Sequence, residues 1–222
     1  MTSRTYGQFC GLAHALELVG ERWALLVIRD LIPGPKRFTD LRNGLPRIPT
    51  NILSARLKEL EAAGVIHRRV LPRPDGSIVY DLTNYGRELE DIVLRLGLWG
   101  ARSLGHPRPD DVLTTDSLLV ALRSTFRPRP AHHLDAGYEL HVGDVVIHAR
   151  VHDGKLETGA GALPDADLII HTGPELRALL AGELSPSQAI EDQSVKLSGD
   201  PDLLERFVEI FHIPPAPPLL PA

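Results

Sequence analysis

Residues 49–64 read Pro49-Thr50-Asn51-Ile52-Leu53-Ser54-Ala55-Arg56-Leu57-Lys58-Glu59-Leu60-Glu61-Ala62-Ala63-Gly64, and they run on into Val65-Ile66-His67-Arg68-Arg69-Val70. Leu53, Leu57 and Leu60, flanked by Ile52, recur at helical spacing, so one face of a helix turns inward. At about 100° per residue, Asn51, Ser54, Ala55 and Lys58 project from the opposite side. Proline at the start and Gly64 at the end bound roughly 14 residues, about 21 Å of helix. The outer face of the first turns carries small or polar side chains and no acid; Glu59 and Glu61 come later. A helix whose N-terminal half lies in a DNA major groove has this pattern, because an early carboxylate would meet phosphate. An ordinary amphipathic surface helix would satisfy the same spacing, and the neighbouring segments decide between the two.

Upstream, residues 37–45 predict a short helix, and Gly44 lies in the turn before the longer one. Short helix, glycine-bearing turn and longer helix make the helix-turn-helix layout. Residues 9–20 predict a further helix with Leu12, Ala15, Leu16 and Val19 on one stripe. Residues 21–32 predict another, so nearly apolar that it belongs at the centre of a small bundle, and Pro33-Gly34-Pro35 stops it. Downstream, 65–71 and 78–82 are β-rich runs joined by Pro72-Arg73-Pro74-Asp75-Gly76-Ser77, the signal of a hairpin. A basic hairpin directly after a recognition-type helix is a wing, with His67, Arg68, Arg69 and Arg73 in reach of phosphate or the minor groove. Between Lys36 and Arg73 there are 9 basic residues to 3 acidic.

Thr83 or Asn84 then caps a helix expected to run to about residue 104, with Leu89, Ile92, Val93, Leu96 and Trp99 on one face. The domain core is already closed by then, so that stripe points to a homodimer built on the equivalent helix of a second copy. Packing onto its own domain is the plain alternative.

The chain has 222 residues, is 43% hydrophobic and carries a formal net charge of −5. Residues 1–105 hold 15 Lys and Arg against 11 Asp and Glu, whereas residues 106–222 hold 9 against 18, so only the first half favours a polyanion. One cysteine excludes an intrachain disulfide framework and a cysteine-based zinc site. No run approaches the ~18 apolar residues that span a bilayer, and the N-terminus leads to no apolar signal core, so no membrane partner and a cytoplasmic location are expected.

The expected organisation is a mainly α winged helix-turn-helix domain over 1–105, a stiff polar linker at 106–111, an α+β domain over 112–213 and a proline-rich tail at 214–222. In the second domain, 116–126, 174–181, 186–191 and 200–211 predict helices. Residues 139–141, 145–151, 155–158, 167–171 and 195–198 predict strands of an antiparallel sheet.

The first hundred residues resemble the HxlR-type winged helix-turn-helix regulators, relatives of the MarR group. The residues that carry this are Gly20-Glu21-Arg22-Trp23, Arg37-Phe38-Thr39-Asp40-Leu41, Leu53 to Ile66 and Tyr80-Asp81-Leu82-Thr83-Asn84-Tyr85-Gly86. The resemblance implies a homodimer on the first and last helices of the domain, with Leu12 and Leu16 joining Leu89 to Trp99, bound to double-stranded operator DNA. Arg22, Arg37 and Thr39 would sit by phosphate, Arg47 would join them at the DNA, and Thr50, Asn51, Ser54, Ala55 and Lys58 would face bases. Several members carry a redox-sensing cysteine near the N-terminus, commonly followed by proline; here Cys10 is followed by Gly11. No charge partner for its thiol is visible in the sequence, and a half-buried structural cysteine is the plain expectation.

Residues 112–213 resemble the sterol-carrier-protein fold, through Ala166-Asp167-Leu168-Ile169-Ile170, Leu179 to Ile190 and Val195 to Phe207. That resemblance implies an apolar tunnel between sheet and helices and a small hydrophobic ligand; a filled core serving dimerisation is the alternative. The histidines at 132, 133, 141, 148 and 152 lie close in sequence, but no metal-ligand spacing appears and no carboxylate partner for His148 or His152 is evident. No nucleophile stands at readable spacing from a base. No enzyme activity, cofactor or metal is expected, and the leading expectation is a ligand-responsive, dimeric transcriptional regulator. A hydrophobic-ligand carrier whose winged helix makes protein contacts, or a redox-responsive regulator acting through Cys10, are the other readings.

Overall fold

The structure is a computed structural model and describes residues 5–216. The chain forms two compact units that divide between Val93 and Leu94. In the first, α1 (Gly11–Val19), α2 (Ala24–Leu31), α3 (Phe38–Gly44) and α4 (Thr50–Ala62) precede a hairpin of β1 (Ile66–Val70) and β2 (Ile78–Leu82), followed by α5 (Asn84–Arg87) and the start of α6 (Glu90–Ala101). Val27, Ile28 and Leu31 of α2, Leu41 of α3, and Leu53, Leu57 and Leu60 of α4 are buried together with Val65 and Ile66, which is the bundle core that the apolar run at 21–32 predicts.

Two local departures from periodicity shape this unit. The apolar run from residue 21 becomes helical only at Ala24, because Trp23 holds φ 80°, the left-handed region that side chains with a Cβ rarely adopt. On α1, Ala13 and Val19 are the buried residues, while Leu12, Ala15 and Leu16 of the predicted stripe are exposed. The helix expected from 83 onward starts as predicted, with the Thr83 hydroxyl capping the Gly86 N–H at 3.0 Å, but it is interrupted around Glu88 and Leu89. Gly86 cannot be replaced cheaply: a Cβ there would lie 2.0 Å from the Val65 carbonyl oxygen.

The second unit continues through the last turns of α6 into α7 (Thr115–Thr125), β3 (Asp135–Val142), β4 (Val145–His152), β5 (Lys155–Ala160), β6 (Leu168–Thr172), α8 (Glu175–Leu180), α9 (Pro186–Glu191), β7 (Lys196–Gly199) and α10 (Asp202–Ile210). The sheet order is β5-β4-β3-β6-β7. Every pairing is antiparallel except β3 with β6, where Tyr138 to Val142 run parallel to Leu168 to Thr172. The sheet is therefore mixed, which corrects the all-antiparallel expectation. The physical reason is the segment 161–167: it carries the chain from β5 at one edge across the sheet to the far side of β3, so β6 enters in the direction of β3.

Alternation divides the sheet faces. Tyr138, Leu140 and Val142 of β3, Ile147 and Ala149 of β4, and Leu168 and Ile170 of β6 join Leu118, Leu119 and Leu122 of α7 and Leu204, Phe207 and Ile210 of α10 in one apolar core. The rings of Tyr138 and Phe207 lie 5.2 Å apart, and those of Phe207 and Phe211 4.7 Å apart. Leu98 and Ala101 of α6 pack on this core as well. On the other face, Glu139 is buried beneath the crossing segment and accepts the Leu163 N–H at 2.7 Å.

Candidate nucleic-acid interface

The outward side of α4 is set by what its inward side must bury. With Leu53, Leu57 and Leu60 fixed in the core, Thr50, Asn51 and Lys58 are exposed and Ser54 and Ala55 half-exposed. The Ser54 hydroxyl donates to the Thr50 carbonyl at 2.9 Å, which turns its lone pairs outward from the helix axis. Pro49 is the N-cap, no side chain caps the first turn and no acid lies in it, so the opening N–H groups of α4 keep their partial positive charge. That end of a helix attracts phosphate.

The hairpin stands as predicted, with Ile66 opposite Leu82 and Val70 opposite Ile78. It is extended by Lys36, whose backbone exchanges hydrogen bonds with Tyr80 at 3.0 and 2.8 Å and so ties the start of α3 to the wing. Arg68 and Arg73 are exposed, as is His67. Arg69 is placed differently from its neighbours. Its Nε donates to the buried Asp81 carboxylate at 3.0 Å, and Arg87 reaches the other oxygen at 2.8 Å. Arg37 is likewise occupied: its guanidinium grips both oxygens of Asp75 at 2.8 and 2.9 Å and the Ser77 hydroxyl at 3.1 Å. The Asp75 carboxyl is held below its usual range by the Ser77 hydroxyl first and by Arg37 second. Arg37 therefore braces the wing turn against α3, and Arg69 braces the wing strand. Neither partner is visible in the linear sequence, because each pairing depends on hairpin register.

Thr39, Arg22 and Arg47 are exposed. Arg22 lies over the Trp23 ring with its guanidinium carbon 5.3 Å from the ring centroid. Arg56, which sequence reasoning did not single out, is turned inward at 13% exposure, toward Glu21 at 3.6 Å and toward Glu59.

The remaining sequence-predicted residues fall as follows. Leu12 and Leu16 on α1, and Ile92, Leu96 and Trp99 on α6, are exposed, with Trp99 at 68%. Val93 is buried and Leu89 half-buried. Cys10 is exposed, not half-buried, and forms the N-cap of α1. Its sulfur faces the backbone N–H groups of Ala13 and then Leu12, outside full hydrogen-bond geometry yet near enough to hold the thiol pKa below its ordinary value. The sequence shows no such source of a lowered thiol pKa; here the cause is backbone N–H groups of the first turn of α1, with no charged neighbour.

In the second unit, His152 does have a carboxylate partner, Asp135 directly across the β3–β4 ladder at 3.2 Å. His141 pairs with Glu139 at 2.5 Å and stacks on His171, their ring centroids 4.2 Å apart. Among the described residues no three His, Cys, Asp or Glu side chains come together to hold a metal. Among the same residues no helix is long and apolar enough to cross a membrane.

A helical core, an outward helix with an acid-free first turn and a basic hairpin beside it define a winged helix-turn-helix unit. The family model described as HxlR-like helix-turn-helix matches residues 18–107, and the chain belongs to that family. The uncharacterized HTH-type transcriptional regulator YdeP of Bacillus subtilis (strain 168) is 37% identical over 93 residues, which cover 42% of this chain and 73% of the relative. HTH-type transcriptional regulator YodB of the same organism is 38% identical over 88 residues, covering 40% and 79% respectively. Among solved structures, the redox regulator HypR in its oxidized form is 35% identical, covers 43% of this chain and 99% of its own, and has a TM-score of 0.41. YdeP and YodB are both named as HTH-type transcriptional regulators.

Proposed function

We propose that the chain is a dimeric, sequence-specific regulator of transcription that binds double-stranded operator DNA through α4 and the β1–β2 wing. The observation that carries this is the outer face of α4: exposed Thr50, Asn51 and Lys58 over an acid-free first turn, flanked by exposed Arg68 and Arg73. Asn51, Thr50, Ser54 and Ala55 contact base edges, while Arg22, Thr39, Arg47, Lys58, Arg68 and Arg73 contact phosphate or the groove edge. Arg37 and Arg69 act mainly by holding the wing. Asn51→Ala relaxes sequence preference by about 1–3 kcal/mol at its base pair in competition between specific and random duplexes. Equal loss on both would remove Asn51 from base readout.

Dimerisation is supported by the exposed apolar side chains of Leu12 and Leu16 on α1, and of Ile92, Leu96 and Trp99, which lie along one stripe of α6. For the second unit, the sterol-carrier-like reading makes the apolar layer between sheet and helices the seat of a small hydrophobic ligand. Two polar atoms within it, the Tyr138 hydroxyl and Thr172 Oγ1, are buried without a hydrogen-bond partner, which suits a ligand with one polar end. Burial pushes the Tyr138 hydroxyl pKa up, so it stays a neutral donor. Native mass spectrometry of the purified protein tests this, and a domain that takes up no hydrophobic compound retains only a structural role.

Regulation through Cys10 is a second reading, supported by its exposure and its lowered thiol pKa. HypR is named a redox regulator. Cys10→Ser abolishes any oxidant-induced change in DNA affinity on this reading; an unchanged response removes Cys10 from it.

A further inference from the structure

Between the start of α2 and the start of α4 lies an open surface groove of about 380 Å³. Arg22, Arg47 and Arg56 line it together with Glu21, and the Glu59 carboxylate also pairs with Arg56, so the lining carries more cationic than anionic groups. Arg56 is the informative member. Its Nη1 faces Glu21 and Glu59, but its Nε is buried with no hydrogen-bond partner. A guanidinium N–H removed from water without an acceptor is a donor awaiting one. The rest of the wall is flat and apolar, made by the Trp23 ring, Pro49 and Ile52. Trp23 is held there in the left-handed backbone region, a conformation that surrounding structure must impose and that gathers at ligand sites.

We propose that this groove binds a small aromatic carboxylate. The carboxylate meets the planar fork of Arg56 and the Arg22 and Arg47 guanidinium groups, which match its geometry better than a point charge would. The ring lies against Trp23, Ile52 and Pro49. Pro49 caps α4 and Ile52 and Arg56 belong to it, so occupancy acts on the helix proposed above to read DNA. This coupling rests on that proposal, and by linkage DNA and carboxylate alter each other's affinity by the same factor.

The test follows the two indole N–H signals of the whole chain by nuclear magnetic resonance during a benzoate titration, with Trp23 and Trp99 as site and internal control. Benzoate shifts the Trp23 signal saturably with a Kd of about 1 mM or tighter and leaves Trp99 unmoved. Arg56→Gln and Arg22→Gln each weaken binding about tenfold through a lost charged hydrogen bond; Arg22 lies on the surface, so its variant remains informative if the Arg56 variant does not fold. No saturable Trp23 shift up to about 20 mM benzoate overturns the site, and so does equal binding by Arg22→Gln. Inorganic phosphate that shifts Trp23 as strongly as benzoate also overturns it, because the groove would then be a general anion seat of the kind a DNA phosphate fills. The titration contains no DNA, so benzoate binding without duplex binding contradicts the regulator proposal alone, and duplex binding without a benzoate shift contradicts the carboxylate site alone.

Discussion

Arg68 and Arg69 are neighbours with the same side chain, yet the structure gives them different work. Arg68 is exposed with no carboxylate bound to it, while Arg69 neutralises a carboxylate that is only 9% exposed. Arg68→Ala should lower affinity for every duplex alike and reduce the slope of log affinity against log salt by about 1. Arg69→Ala should instead lower the melting temperature, because Asp81 is left with Arg87 alone. Arg69 is itself 38% exposed, so solvent screening reduces the loss to about 1 kcal/mol, or roughly 4–8 °C for a unit of this size. Thermal melts and salt-titrated binding of the two variants separate these roles, and a salt slope changed by Arg69→Ala at unchanged stability would reverse the assignment. Sequence alone makes the pair look equivalent, since charge is local but the Asp81 contact is created by the hairpin.

At the scale of the element, legibility followed the strength of the period. Leu53, Leu57 and Leu60 between Pro49 and Gly64 allow one helix and one inward face, and α4 spans Thr50–Ala62. Residues 21–32 carry an equally strong apolar signal, but no periodicity reveals that Trp23 adopts φ 80°. Each strand of the second unit was foreseen near its place, whereas the parallel β3–β6 pairing was not, because strand direction depends on where 161–167 crosses the sheet. Glu139 anchors that crossing. The Leu163 N–H, and after it His141, hold its carboxyl below the usual glutamate range. Its ionised form therefore contributes stability that is fully present above the ordinary value of about 4.3 and is lost as pH falls through the lower folded-state value. Glu139→Gln should cost about 1.5–3 kcal/mol at pH 7, and should flatten the acid limb of the stability profile. An acid limb identical to that of the native chain would show that Glu139 does not hold the segment.

The basic half contains the winged helix-turn-helix unit, and the family match extends over residues 18–107. A winged helix reads a short half-site, so the operator binding proposed above calls for a second copy. Leu96 is 47% exposed on the α6 stripe with Ile92 and Trp99. Leu96→Glu should convert a dimer to a monomer in analytical ultracentrifugation and abolish operator binding while the fold persists. A variant that remained dimeric would move the interface elsewhere. The direct test of the central claim is a nuclease footprint of the intact protein, at low ionic strength, on fragments flanking its own gene and on a genomic library. Protection of a two-fold symmetric site, lost with Asn51→Ala and Arg68→Ala together, is the predicted result. Absence of protection on every fragment would contradict the assignment of α4 and the wing to DNA.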